Sequence, residues 1–352
     1  MNKNNNITIG MIGGGMMAQI GHLPFYIKDK RCNVKSIVET RPSLIRHLKN
    51  KYEINNIISD YNDVLMDPEI DSVVISVPRE ATGPITFESL KSGKNVMSEK
   101  PMAHTVLQAN KLIKQAELKK LIYGIGFMKR YDLGIIKAKE SFLKLKKSKR
   151  LGNLLFARFY NYSKKPEFTP PPHQRPSESR KKRLNIWPSW PEWVPNNYRK
   201  SYAWFLNVAS HDINLMHYFF QDKLHLDKVS LSLNGSISAS FKHENSLISF
   251  EFSNSNSGVW MEGIEFIYEK GRLVIDIPCP MNIRGVSEVI LHENIKSTKF
   301  RIIETQQKWM FDNQAKGFVN AILGKEKVLT SGDDGLRDIK CIENIWKRGL
   351  SI

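Results

Sequence analysis

The sequence predicts two domains of different class: a doubly wound α/β domain with a parallel sheet, then an α+β domain with an open-faced, mostly antiparallel sheet. Over the first 128 residues, short and almost continuously apolar runs alternate with amphipathic stretches, which is typical of parallel strands joined by crossover helices. From residue 154 onward, several runs alternate between apolar and polar residues, as antiparallel strands with one covered face do. We therefore expect domains over residues 1–128 and 129–352.

Each element expected in the first domain has its own signal. Residues 106–118 have the apolar spacing of a helix, and the lysines that end this stretch suit a helix C-terminus. Runs rich in β-branched residues predict strands over residues 7–12, 33–39, 72–77, 95–98 and 121–128.

The second domain is predicted from alternation and from one turn. Apolar side chains alternate with polar ones over residues 229–233 and 248–253. Residues 264–277 carry Glu-Lys-Gly-Arg at positions 269–272, which predicts a hairpin.

A proline-rich stretch over residues 166–195 interrupts this domain with eight prolines and three tryptophans. Proline breaks both helices and sheet ladders, so we expect a long irregular loop. Loops of this length are usually functional or disordered, and the three indoles favour a loop that covers a site. Trp187 and Trp190 are therefore candidate substrate-binding residues.

The composition indicates a cytoplasmic globular protein. The chain is 41% hydrophobic and 25% charged, no apolar run reaches the roughly 18 residues that cross a bilayer, and the N-terminus lacks a signal-peptide pattern. Its three cysteines form no C-x-x-C pair, which excludes a disulfide framework and a cysteine-rich zinc site. Two nearby histidines, His211 and His217, lack a third ligand with metal spacing, so we expect no metal.

The net charge of +18 is concentrated in two windows. Residues 111–150 contain 13 basic and 3 acidic residues, and residues 164–200 contain 9 basic and 3 acidic residues. Such a balance suits nucleic acid, an anionic membrane or an acidic small molecule, and it equally suits a plain lysine-rich surface. Because no nucleic-acid-binding motif accompanies the charge, we expect no nucleic-acid partner. We also expect no membrane partner, since no apolar run is long enough to cross a bilayer.

The strongest local signal is a glycine-rich turn directly after the first strand. Gly13, Gly15 and Ala18 fit the pattern G-x-G-x-x-A, with Met16 and Met17 between them. The first glycine permits the tight turn, the second lets the backbone approach a pyrophosphate, and the small third residue lets helix and strand pack closely. The pattern predicts a Rossmann domain that binds a dinucleotide at a helix N-terminus.

The acid that ends the second strand bears on the choice of coenzyme. Glu39 follows Ala18 by 21 residues, where a carboxylate should accept hydrogen bonds from the adenosine ribose. A 2′-phosphate about 4 Å from this carboxylate would meet a repulsion of roughly 4 kcal/mol at an effective dielectric near 20. This favours NAD, and Arg41 keeps NADP as an alternative because an arginine can bind the extra phosphate.

A lysine stands at the end of another predicted strand. Glu99, Lys100 and Pro101 follow the strand over residues 95–98, and the carboxyl ends of parallel strands face the ligand crevice. Lys100 is either placed over the nicotinamide or is an ordinary solvated lysine, and its position alone does not decide between these interpretations.

These segments together resemble the glucose-fructose oxidoreductase and inositol dehydrogenase superfamily (Gfo/Idh/MocA). The resemblance spans nearly the whole chain and rests on the glycine turn, the acid after the second strand, the Glu-Lys-Pro segment and residues 126–132. It implies that Lys100 is catalytic, that its bond to Pro101 is often cis, and that Glu99 lies near the nicotinamide ribose. It also makes Arg130 a candidate substrate-binding residue.

A histidine-bearing segment resembles the family's D-x-x-x-H-x-x-D helix. Asn207, His211 and Asn214 stand at its three marked positions, so amides replace both carboxylates. Residues four apart share a helical face, which lets Asn207 and His211 reach one substrate. Asn207 can hydrogen bond to a hydroxyl but cannot act as a base.

Residues 78–84 form the expected loop after the strand over residues 72–77, where many relatives carry a histidine that this chain lacks. The loop should border the nicotinamide, which makes Pro78 a candidate coenzyme contact. Its changed chemistry is either tied to substrate choice or neutral.

The residues and the resemblance together predict an NAD(P)-dependent oxidoreductase. It would transfer hydride between nicotinamide and a secondary alcohol or ketone of a sugar, cyclitol or nucleotide-linked sugar. Lys100 would stabilise the alkoxide, His211 would exchange the proton, and Asn207 would position the substrate. The amide at Asn207 favours an alternative, a non-catalytic sensor or regulator that binds a dinucleotide on the same scaffold.

Two expectations concern partners. The basic, tryptophan-bearing stretch over residues 164–200 suits an anionic small-molecule substrate. The family resemblance implies a homodimer or homotetramer.

Overall fold

The computed structural model describes residues 6–163, 170–179, 184–221, 223–255, 259–294, 298–302, 305–306 and 308–352. The chain divides into two compact units. The first consists of Met1–Phe127, Pro171–Pro191 and Phe311–Ile339, and the second of Met128–Pro170, Glu192–Met310 and Lys340–Ile352. The first unit thus includes two later segments that a boundary at residue 128 assigns to the second domain. We call the described residues of Pro171–Pro191, which are 171–179 and 184–191, the strap.

The elements follow in chain order. The strands are β1 (Ile7–Ile12), β2 (Cys32–Val38), β3 (Ile57–Ile58), β4 (Ser72–Ile75), β5 (Asn95–Ser98), β6 (Tyr123–Ile125), β7 (Leu154–Ser163), β8 (His225–Leu231), β9 (Ile237–His243), β10 (Ser246–Ser255), β11 (Glu262–Tyr268), β12 (Gly271–Asp276), β13 (Glu288–Asn294) and β14 (Thr298–Ile302). The helices are α1 (Leu23–Lys28), α2 (Pro42–Tyr52), α3 (Tyr61–Met66), α4 (Arg79–Lys91), α5 (Val106–Lys119), α6 (Leu133–Ser148), α7 (Arg199–Val208), α8 (Ser210–Phe220), α9 (Met310–Ile322) and α10 (Gly332–Gly349). A π-helical turn spans Ala18–His22, and 3₁₀ turns span Met128–Tyr131 and Asn196–Tyr198. Among the described residues, no helix is both long and apolar enough to cross a bilayer.

The first unit confirms the predicted parallel sheet. Its six strands are parallel and lie in the order β3-β2-β1-β4-β5-β6. Ile9 and Met11 of β1 are fully buried, as expected for a strand covered on both faces. Phe318 and Val319 of α9 pack into the same core, which explains why a late segment belongs to this unit.

Three local predictions for this unit differ from the structure. The expected strand over residues 121–128 is shorter, because β6 ends at Ile125 and the chain soon enters a 3₁₀ turn. β3 was not predicted, since a two-residue strand carries no alternation signal. The expected loop over residues 78–84 is wrong, because α4 begins at Arg79 and includes Pro84 in its interior.

The second unit confirms the predicted, mostly antiparallel sheet. Its strands lie in the order β14-β13-β12-β11-β7-β10-β9-β8, and the neighbouring strands β7 and β10 are parallel. The alternating residues Ile248, Phe250 and Phe252 of β10 are buried as predicted. The predicted hairpin is formed by β11 and β12, joined at Glu269 and Lys270.

Two features position the helices of this unit. Asp132 caps α6, because its Oδ1 accepts hydrogen bonds from the N–H groups of Gly134 at 2.8 Å and Ile135 at 3.1 Å. Phe219 of α8 packs against Phe266 of β11 with ring centroids 4.9 Å apart, within a larger cluster of buried phenylalanines. The cap and the aromatic cluster fix α6 and α8 against the sheet.

Candidate active site

The glycine turn after β1 has the geometry that the sequence predicts. Gly13 adopts a φ of +104°, and a side chain there would overlap the backbone carbonyl of Ser76. At Gly15 an ideal Cβ would meet no atom within 4 Å, so open space lies in front of this backbone. The turn therefore fits a pyrophosphate, which needs close backbone approach from a residue without a side chain.

Glu39 lies directly after β2 and accepts five hydrogen bonds from neighbouring residues. Its carboxylate accepts hydrogen bonds from the N–H groups of Gly14 at 3.2 Å, Thr40 at 2.8 Å and Arg41 at 3.1 Å. The Arg41 guanidinium adds two more, from Nε at 2.8 Å and Nη2 at 2.7 Å. Burial alone would raise the pKa of Glu39, but these bonds outweigh it and hold that pKa below its usual value. Glu39 is therefore ionised at neutral pH, and Arg41 is committed to it.

A cavity lies beside the glycine turn in the first unit. Gly13 and Glu39 line it, and so does Leu184 of the strap. No lysine or arginine stands among the described residues that line it. The remaining lining residues are Ile12, Val38, Thr40, Ser59, Asp60, Tyr61 and Val77.

The Glu-Lys-Pro segment follows β5 and is held by a buried histidine. Oε1 of Glu99 and Nε2 of His22, which lies in the π-helical turn, form a hydrogen bond of 2.7 Å. The other carboxylate oxygen of Glu99 accepts the Lys100 N–H at 3.3 Å. The Lys100–Pro101 peptide bond is cis, as the resemblance implies. His22 thereby ties the glycine-turn helix to the strand end that carries Lys100.

In the second unit, Asn207 and His211 lie on two helices that meet at Ala209. Asn207 is in the last turn of α7 and is half-buried, whereas His211 is in the first turn of α8 and is 7% exposed. The single helix that the family pattern implies is interrupted at Ala209. That residue keeps right-handed helical angles, with φ −69° and ψ −14°, and its carbonyl accepts the Ile213 N–H at 3.0 Å.

Arg130 is buried in the second unit and braces α8. Its Nη2 donates to the backbone carbonyl of Asn214 at 2.9 Å, and its guanidinium lies over the Tyr218 ring at 5.1 Å. A substrate contact for Arg130 stays a prediction, and the observed contacts give this side chain a structural role.

A buried charged cluster lies beneath α8. Lys129 forms an ion pair with Glu262, and both side chains are at most 4% exposed. Asn161 donates to Asp212 of α8 at 3.1 Å. Burial raises the pKa of Glu262 against the opposing charge of Lys129.

The remaining predicted residues have the following places. Met16 is 43% exposed, Met17 is half-buried and Ala18 is buried, all after the glycine turn. Pro78 is exposed and immediately precedes α4. Trp187 and Trp190 are half-buried in the strap, so a substrate contact by either stays a prediction.

Two further points concern the sequence predictions. The basic run Arg180–Arg183, which carries much of the anion-binding hypothesis, lies outside the described residues. Within the described part of the chain, no three His, Cys, Asp or Glu side chains group to hold a metal ion.

Sequence reasoning missed His22, Gln19 and Leu184. His22 and Gln19 sit in the helix after the glycine turn, where a polar residue facing inward would have been the only signal. Leu184 lines the cavity although it is far from the glycine turn in sequence, and no local sequence pattern indicates that contact.

Comparisons with known proteins agree with this geometry. Residues 7–127 match the family described as "Oxidoreductase family, NAD-binding Rossmann fold". The inositol 2-dehydrogenase of Salmonella typhimurium is 28% identical over 170 residues, 47% of this chain and 48% of that protein. The levoglucosan dehydrogenase of Pseudarthrobacter phenanthrenivorans is 25% identical over 142 residues, 38% of this chain and 36% of that protein. The matched region thus spans half or less of these relatives.

Two solved structures share the fold over almost the whole chain. A levoglucosan dehydrogenase in complex with NADH and levoglucosan has a TM-score of 0.76 at 18% identity, covering 98% of both chains. A 3-ketoreductase from Actinomadura kijaniata in complex with NADP and TDP-benzene has a TM-score of 0.74 at 15% identity, covering 97% of this chain and 98% of that one. The predicted resemblance to the Gfo/Idh/MocA superfamily is confirmed over residues 7–127, which match the oxidoreductase family with the NAD-binding Rossmann fold.

Proposed function

We propose that this protein is an NAD-dependent oxidoreductase that interconverts a secondary alcohol and a ketone on a sugar or cyclitol. The substrate class rests on the inositol and levoglucosan dehydrogenases that the chain resembles. The proposed finer range includes nucleotide-linked sugars, because one structural neighbour was solved with TDP-benzene. The relatives named above carry the names of dehydrogenases and reductases, so they lend no support to the sensor alternative.

One observation carries the coenzyme half of the proposal. The carboxylate of Glu39 accepts the Gly14 N–H at 3.2 Å and lines the cavity beside Gly13. An ionised carboxylate at this place accepts hydrogen bonds from ribose hydroxyls and repels a 2′-phosphate. Arg41 is paired with Glu39 and is 9% exposed, so it offers little to that phosphate. We therefore favour NAD over NADP.

The chemistry divides between coenzyme and protein. The coenzyme, when bound, supplies the hydride acceptor or donor. Lys100 at the end of β5 orients the substrate hydroxyl and stabilises the negative charge that develops on its oxygen. Glu99, fixed by His22, positions the backbone at Lys100.

His211 and Asn207 complete the proposed substrate machinery. His211 takes the hydroxyl proton during oxidation and returns it during reduction, since an imidazole titrates near neutral pH. Asn207 donates and accepts hydrogen bonds at a neighbouring hydroxyl and carries no proton in the reaction.

Turnover of a panel of cyclitols and sugars with NAD, followed at the absorbance band of reduced nicotinamide, tests this function. Lys100→Met should lower kcat by about 10²- to 10³-fold, the size typical of a lost charge-stabilising donor. NADH affinity should stay within about threefold of the wild-type value, because Lys100 acts on the substrate.

Lys91→Met is the matched control, since it removes the same charge from a side chain that is 64% exposed on α4. It should leave kcat unchanged. An active wild-type enzyme whose Lys100→Met variant turns over as fast would refute the assigned role.

A further inference from the structure

The strap is bound to the glycine turn itself at its first described end. The Gln174 N–H donates to Oε1 of Gln19 at 2.8 Å, and Nε2 of Gln19 donates back to the Gln174 carbonyl at 3.1 Å. The same Nε2 donates to the carbonyl of Gly14 at 3.0 Å. One buried amide side chain therefore joins the strap to the turn that fits the pyrophosphate.

A second contact ties the strap to the helix that follows Glu39. Oε1 of Glu178 accepts the Ser43 N–H at 2.5 Å, in the first turn of α2. The Ser177 N–H donates to Oγ of Ser43 at 3.4 Å. The first of these bonds satisfies the Ser43 N–H, which has no partner within the helix because it lies in the first turn.

A third contact fixes the far end of the strap in a notch on α4. Pro84 has no N–H, so the Glu80 carbonyl four residues earlier lacks its helical donor, and the Trp187 N–H supplies one at 2.9 Å. A Cβ at Gly83 would approach the Trp187 ring to 2.5 Å, so only glycine leaves room for the indole. Gly83 and Pro84 together thus create the site on α4 where the strap binds.

These contacts set the path of the strap relative to the sheet. β1 leads to the glycine turn, β2 to α2 and β4 to α4, and these three strands are neighbours in the order β2-β1-β4. The two described parts of the strap therefore lie at the carboxyl ends of these strands, where open α/β sheets bind ligands. Between its second and third contacts, Leu184 lines the cavity that Gly13 and Glu39 also line.

We propose that the strap is part of the coenzyme site, with Leu184 packing against the adenosine half of the dinucleotide. The coenzyme then leaves only when the strap detaches from the first unit, so strap opening sets the rate of coenzyme exchange. The chemistry of the cavity agrees, because Leu184 and Tyr61 offer apolar surface to a base while Glu39 offers acceptors to a ribose. This inference rests on the proposed coenzyme binding. It adds Leu184 as a coenzyme contact and the opening of the strap as the step that controls coenzyme exchange.

The release of NADH, measured by stopped-flow fluorescence after mixing the loaded protein with excess NAD, tests the inference. Leu184→Ala should speed release about tenfold, which corresponds to about 1.4 kcal/mol. Ile186→Ala is the matched control: it removes the same three carbons two residues away, from a side chain that is 67% exposed. Its release rate should stay within twofold of the wild-type rate.

A second variant tests the attachment of the strap separately from the contact of Leu184 with the coenzyme. Glu178→Ala removes a contact with α2 and none of the residues that line the cavity, and it should speed release by about threefold. Equal release rates in wild type, Leu184→Ala and Glu178→Ala would overturn the inference while leaving the proposed function intact. A wild-type protein that binds no NADH would overturn the proposed function and the inference together.

Discussion

The charge of Glu39 gives the sharpest prediction for coenzyme choice. Its side chain is 3% exposed, and its lowered pKa keeps it ionised at neutral pH. A 2′-phosphate about 4 Å away would be repelled by roughly 4 kcal/mol at an effective dielectric of 20. The paired charge of Arg41, 2.7 Å from the carboxylate, offsets part of this repulsion, so we take about 2 kcal/mol as the net penalty against NADPH.

Glu39→Gln removes this charge and keeps an acceptor for Arg41. A change of about 2 kcal/mol corresponds to about 30-fold, so the ratio of NADPH to NADH affinity should rise by about that factor. Titration of both reduced coenzymes by fluorescence measures the ratio, and the thermal midpoint confirms that the variant is folded.

Glu69→Gln is the matched control, because it makes the same substitution on a 74% exposed side chain of the first unit. It should leave the ratio unchanged. If Glu39→Gln is folded, binds both coenzymes and keeps the wild-type ratio, the electrostatic reasoning is wrong.

Two further predictions concern the stability of the fold. Burial lowers the pKa of His104 to about 4, so below pH 6.5 the unfolded chain binds a proton that the folded chain does not. The contribution of the neutral His104 side chain to the unfolding free energy should be fully present above pH 6.5 and fall by about 3 kcal/mol as the pH drops to 4. Urea unfolding at several pH values measures this loss. His104→Gln should reduce the loss, whereas His225→Gln, on an exposed side chain, should not. Lys129→Met leaves Glu262 without its cation in a site at most 4% exposed, and should cost about 3–5 kcal/mol of unfolding free energy. Lys137→Met, on a side chain 48% exposed, should cost less than about 1 kcal/mol, and equal losses in the two lysine variants would contradict this account.

Local patterns in the sequence predicted most of the sheet of the first unit. β1 and β5 have the predicted bounds, because a strand buried on both faces needs a continuous apolar run and such a run is visible in the sequence. The glycine turn was equally readable, since positive φ and close approach leave few residue choices at Gly13.

Long-range contacts explain what the sequence did not predict. The strap docks mainly through backbone N–H and carbonyl groups, which every residue possesses, so no pattern in its sequence marks the contacts of Gln174 or Trp187. Pro84 was interpreted as a loop residue. It is tolerated inside α4 because the Glu80 carbonyl, which it leaves without a helical donor, accepts the N–H of Trp187 from about a hundred residues away in the chain. The family pattern likewise did not indicate that Arg130 would donate to a backbone carbonyl of α8.

The central claim is that the first unit binds a nicotinamide dinucleotide through the glycine turn and Glu39. Isothermal titration of the purified wild-type protein with NADH tests it most directly. We predict saturable binding of one NADH per chain, abolished in Gly15→Val, whose side chain would fill the open space in front of the turn. The absence of any heat of binding with NADH or NADPH in a folded wild-type sample would contradict the account.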